Sequence, residues 1–148
     1  GISEVAGELL DMGTGVVGLK AGDQGFYLRN GPEGAPPSGG DEWRSRELWA
    51  PCFRPEPLVG TTGSGDSTIA GFLAAILRGQ SVVEAMTSAV AVGACSVEAA
   101  DALTGVRSWE DTQARIRSGW PRAALRIDAS GWAWDADRAL WIGPFDGG

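Results

Sequence analysis

The sequence predicts one α/β domain, and three observations carry that prediction. Short apolar runs separated by glycine turns fill residues 15–50, apolar residues recur at helical spacing across residues 66–119, and alternating stretches return towards the C-terminus. The chain has 148 residues, 43% of them hydrophobic, which is enough to bury a core of its own.

Ser3 is placed to cap a short helix running to about Met12, in which Val5, Leu9 and Leu10 share a face and Gly13 provides the stop. Gly15 to Lys20 reads as a short buried strand, Ala21 to Gly25 as a turn, and Phe26 to Arg29 as a second strand. Residues 30–41 are too rich in glycine and proline for regular structure and predict an exposed loop. A short strand is expected from Arg46 to Ala50, after which Pro51, Pro55 and Pro57 keep the chain extended.

Ile69, Phe72, Leu73, Ile76 and Leu77 predict a helix from Asp66 to Leu77, ended by Gly79. Ser81 and Glu84 form a capping box for a longer helix through about Asp101. Its small residues Ala89, Ala91, Gly93, Ala94 and Ser96 predict close packing against another element. Ser108, with Asp111 as capping-box partner, opens a third helix that ends near Gly119. Trp132-Ala133-Trp134 and Leu140-Trp141-Ile142, separated by Asp135 to Arg138, predict a β-hairpin.

Composition excludes several classes of function. A net charge of −7 without a stripe of lysine and arginine argues against a nucleic-acid surface. No apolar run approaches the roughly 18 residues of a membrane span, and no export signal is visible, so a cytoplasmic protein is expected. The chain contains no histidine, which removes Ser-His-Asp and Cys-His nucleophile systems and histidine metal sites. Proton transfer must therefore use a carboxylate, a lysine or a tyrosine. Cys52 and Cys95 lack CxxC spacing and read as reduced thiols. The chain is already in helical pattern a few residues after Gly1, which reads as part of a longer polypeptide.

The chemistry concentrates in Gly60-Thr61-Thr62-Gly63-Ser64-Gly65-Asp66, where extended chain gives way to a helix. Free N–H groups at a helix start converge on a point that suits an anion, and Gly63 and Gly65 let backbone approach a phosphate closely. Asp66 at such a place would repel a phosphate unless it serves a neighbouring hydroxyl. Phosphoryl transfer supplies that task, with Asp66 as base and the amides of Gly63, Ser64, Gly65 and Asp66 as an anion hole. On the local pattern alone, a glycine-rich turn with Asp66 as a helix cap is an equal reading. A Walker loop is excluded because no Gly-Lys-Ser/Thr follows, and no GxGxxG is present at this loop.

Thr61 to Phe72 resembles the second signature of the ribokinase-like, or PfkB, carbohydrate kinases, in which Asp-Thr-x-Gly-Ala-Gly-Asp leads into an Ala/Gly-Gly-Phe helix. Lys20-Ala21-Gly22-Asp23-Gln24-Gly25 is similar to the turn that lines the nucleotide site in that family. The resemblance covers roughly residues 3 to 118. It implies the C-terminal part of a three-layer α/β/α sandwich, with Lys20, Gly22, Asp23, Gly25 and Val90 at the nucleotide. It further implies ATP-dependent phosphorylation of a sugar or sugar-like alcohol with Mg²⁺, and leaves a homodimer open. The family's N-terminal half, with its lid and most sugar contacts, is expected to lie outside this chain, so 1–148 reads as a single partial domain. Gly60 stands where the family usually has an aspartate that organises a monovalent-cation site, which puts cation activation in doubt.

Overall fold

The computed structural model describes residues 1–126 and 128–148. Five strands form one antiparallel sheet: β1 (Val16–Lys20), β2 (Phe26–Asn30), β3 (Glu47–Ala50), β4 (Ala133–Asp135) and β5 (Leu140–Ile142), in the order β1-β2-β3-β5-β4. Among the described residues four α-helices accompany it: α1 (Ile2–Asp11), α2 (Ser64–Leu77), α3 (Val82–Ser96) and α4 (Trp109–Arg117).

Strand periodicity divides the core into two layers. Phe26 and Leu28 of β2, with Leu48 and Ala50 of β3, point towards Phe72, Ala75, Met86, Ala89 and Val90 of α2 and α3. The alternate residues Tyr27 and Trp49 join Val17 on the opposite face, where α1 covers them with Ala6, Leu9 and Leu10. The result is the α/β/α arrangement expected from the sequence. The hairpin of β4 and β5 forms as expected, and β5 adds it to the β3 edge through Leu48↔Ile142 and Trp49↔Trp141.

Glycine lets α2 and α3 approach closely. A Cβ at Gly71 would lie 2.8 Å from Val92 Cγ2 and 3.2 Å from the Ser88 carbonyl, and one at Gly93 would lie 2.2 Å from Thr68 Oγ1. The close packing expected of the α3 small residues is therefore present, and the glycine before Phe72 has a steric reason.

Several boundaries differ from expectation. Ser3 lies inside α1, because its hydroxyl donates to Glu47 Oε1 at 2.7 Å across the sheet instead of capping the helix. Helix α2 begins at Ser64, two residues early, because Gly63 adopts φ 76° and turns the chain directly into the helix. Helix α3 stops at Ser96 instead of near Asp101. There the Val97 carbonyl accepts from the Val59 and Gly60 N–H groups, and the Asp101 carboxylate closes a separate turn by accepting from Leu103 and Thr104. At α4 the Ser108 hydroxyl caps the Asp111 N–H at 3.1 Å, but only half of the expected capping box forms. An aspartate is one methylene shorter than the glutamate that completes the box at α3, where Glu84 accepts from the Ser81 N–H at 2.9 Å.

Candidate functional site

The α2 N-terminus is the focus of the site. Gly63 is the N-cap residue in left-handed conformation, so a side chain there would be strained, and its Cβ would also lie 2.6 Å from Ala102 Cβ. The Ser64 N–H and hydroxyl both donate to the Thr61 carbonyl, at 3.3 and 2.9 Å. The next two amides, of Gly65 and Asp66, belong to the first turn and find no acceptor among the described residues.

Lys20, at the end of β1, reaches this helix start. A Cβ on Gly65 would lie 2.6 Å from Lys20 Nζ, so the ammonium rests directly on the glycine. The ion pairs of the described residues leave Lys20 out. A cation held at the positive end of a helix dipole, beside free N–H groups, is an arrangement that an anion would stabilise.

A cavity of about 340 Å³ opens beside it, lined by Gly22 and Asp23 of the turn, Ser64 and Thr68 of α2, and Val90 and Gly93 of α3, among others. Ser64 and Thr68 are one turn apart and share the face of α2 that meets the cavity. Asp66 sits about 200° around the helix from Ser64, is exposed, and is absent from the cavity lining. The structure thus places the cavity on one side of the helix start and the Asp66 carboxylate on another, with the free amides and Lys20 at the tip.

Residues 1–109 match the model of the pfkB family carbohydrate kinases. The chain belongs to that family. Solved structures with a similar fold include ribokinase from Thermotoga maritima, 24% identical with a TM-score of 0.64, the match covering 79% of this chain and 35% of that one. The nucleoside kinase of Methanocaldococcus jannaschii, described as an archaeal member of the ribokinase family, matches at 21% identity and TM-score 0.59 over 70% of this chain and 30% of that one. A Burkholderia thailandensis nucleoside kinase in complex with inosine gives 21% and 0.59 over 74% and 32%. At these identities the likeness establishes the fold. The pfkB-family chain spans about a third of the length of each of these proteins.

Within this pfkB-family chain, the predicted residues separate by position. Gly22, Asp23, Ser64 and Val90 line the cavity. Lys20, Gly65 and Gly63 lie at or beside the helix tip. Gly25 does not reach the cavity lining; it closes the turn, its carbonyl accepting from the Ala21 N–H at 2.8 Å, and at φ 108° it leaves only 2.0 Å between a would-be Cβ and the Ala50 carbonyl. The Asp23 carboxylate is engaged by Gln24 and Arg126, whose hydrogen bonds hold its pKa below the usual carboxylate range.

Sequence reasoning missed Thr68, Cys52, Phe53, Ala123, Ala124 and Arg126, which line the cavity. Thr68 carried a readable signal, since it stands one turn after Ser64 on the same helix face. The others arrive from distant parts of the chain, and no local pattern announces them.

The cavity walls are largely apolar, with Asp23, Thr61, Ser64, Thr68 and Arg126 as polar groups, which is the make-up of a small-molecule site. Among the described residues no group of three or more Asp, Glu, Cys or His gathers for a metal. Gly60 offers no carboxylate to a cation, and a Cβ there would lie 3.1 Å from the Ala99 carbonyl and 3.3 Å from that of Ala100. No helix among the described residues is long and apolar enough to cross a membrane.

Proposed function

We propose that the chain is the nucleotide and catalytic-loop part of a kinase that phosphorylates a hydroxyl on a sugar or nucleoside. The observation that carries this reading is Lys20 Nζ resting on Gly65, at the free amides of the α2 start. The cavity takes the nucleoside of ATP against Val90, and the phosphates run past Ser64 and Thr68 to the helix tip. There Lys20 and the Gly65 and Asp66 amides, with Gly63 setting the turn, hold the charge of the group in transit. Asp66, facing away from the cavity, accepts the proton of the attacking hydroxyl. Bound with the nucleotide, Mg²⁺ would supply neutralisation of the phosphate charge. No step depends on a monovalent cation.

The acceptor is a ribose-like hydroxyl. Its support is that structures of similar fold include a ribokinase and two nucleoside kinases, one of them in complex with inosine, a ribose-bearing compound. Because the chain spans a third of those relatives, it binds nucleotide while turning over little by itself, and its acceptor contacts come from the remainder of the polypeptide. A titration with a non-hydrolysable ATP analogue, followed by backbone amide NMR, tests the placement. Gly65, Thr68 and Val90 are expected to shift first; shifts confined to α1 and the hairpin would sink the reading.

A further inference from the structure

Beyond α4 the polypeptide turns back along the cavity. Trp120 stacks on Phe53, with ring centroids 4.5 Å apart and 17° between planes, and its indole N–H donates to the Arg54 carbonyl at 2.6 Å. The Arg54 N–H donates to the Pro121 carbonyl at 2.9 Å, and the Ala123 N–H to the Cys52 carbonyl at 2.7 Å. These bonds lay residues 120–123 alongside residues 52–54. Three residues later the Arg126 N–H donates to Gln24 Oε1 at 2.7 Å, and its guanidinium pairs with the Asp23 carboxylate.

The segment is therefore fastened at both ends, and between those ends Ala123, Ala124 and Arg126 face the cavity opposite Val90. We infer that Ala123–Arg126 is the outer wall of the cavity and that Arg126 is its positioning residue, latching the wall to the Gly22–Gln24 turn. The segment lies beyond the residues matched by the family model. Its consequence for ligands rests on the nucleotide reading above: the wall holds the nucleoside part of a nucleoside triphosphate against α3.

The two partners of the latch are 69% and 71% exposed, so opening it changes the closed population modestly, by roughly two- to fivefold. Cys52 lines the cavity and is partly exposed whereas Cys95 is buried, which gives a ligand-free readout: the rate of Cys52 alkylation by N-ethylmaleimide, followed by peptide mass spectrometry. Arg126→Asp is expected to speed alkylation by that factor and to weaken ATP binding in parallel. The swap Asp23→Arg with Arg126→Asp is expected to restore the slow alkylation, the readout that does not depend on Asp23 touching a ligand. Charge alone would act in the opposite sense each time, since a new carboxylate near the thiol slows alkylation and a new guanidinium speeds it. Unchanged alkylation in Arg126→Asp, or no restoration in the swap, overturns the latch. Alkylation that follows the expectation in a protein that binds no ATP supports the wall and overturns the nucleotide reading alone.

Discussion

Lys20 Nζ lies so close to Gly65 that a single added methyl group there would come within 2.6 Å of it. The contact joins the end of β1 to the first turn of α2, between residues 45 positions apart in sequence, and the ammonium has no carboxylate partner among the described residues. In the proposed placement, replacing Lys20 with alanine would remove a charge-assisted contact to phosphate, worth about 1.5–3 kcal/mol, so ATP affinity should fall roughly ten- to hundredfold. Gly65→Ala should weaken binding in the same direction by displacing the flexible ammonium, with little change in urea midpoint. Isothermal titration of the two variants checks both, and full affinity in Lys20→Ala would remove Lys20 from the site.

Packing of α2 on α3 predicts a stability effect separate from binding. Gly71→Ala presses a methyl on Val92 and on the Ser88 carbonyl, which is backbone and cannot rotate away. Overpacking of this kind should cost about 1–3 kcal/mol, read as a lower urea midpoint with unchanged slope.

The family signature was legible in sequence because its residues are contiguous: Gly63 turns, Ser64 and Gly65 open the helix, and Gly71 meets α3 within one short stretch. The strands of the two-faced sheet were legible for the same local reason, since alternation at Phe26, Tyr27 and Leu28 is a property of neighbours. What the sequence could not supply was long-range. Ser3 left its capping role for Glu47, 44 residues away, and α3 ended early because residues 59 and 60 take the Val97 carbonyl. The outer cavity wall depends on Arg126 finding Asp23 across 103 residues, which no periodicity encodes.

Glu98 predicts an acid limit on stability. Burial works to raise its pKa, but hydrogen bonds from Arg115 and the Glu56 N–H, with the charges of Arg115 and Arg107, outweigh burial and hold it below the usual glutamate value. A carboxylate lowered in the folded state contributes stability that is present above the unfolded pKa of 4.5 and lost as pH falls through the folded value. Thermal melts should therefore lose stability on acidification below that value. Glu98→Gln should be less stable at neutral pH and show a flatter acid limb; an unaltered limb would remove Glu98 as its source.

Gly60 predicts indifference to monovalent cations. It offers no carboxylate, and the Ala99 and Ala100 carbonyls crowd the space where a side chain would start. Exchanging potassium for choline at constant ionic strength should leave the ATP affinity unchanged within about twofold, against the roughly 0.4 kcal/mol that such a factor represents. A large potassium-specific gain would show that other groups form a cation site.

The central claim is that Asp66 is a base for phosphoryl transfer; the helix-cap alternative open in the sequence does not hold, because Gly63 is the N-cap residue and Asp66 lies in the first turn without a capping hydrogen bond. The direct test compares Asp66→Asn with the unaltered protein, both as the complete polypeptide, measuring ATP affinity and single-turnover transfer to a panel of sugars and nucleosides. Transfer should fall by roughly 10²–10⁴-fold while ATP affinity stays within a small factor. Equal transfer by both proteins would contradict the claim and leave Asp66 an exposed first-turn carboxylate with no part in transfer.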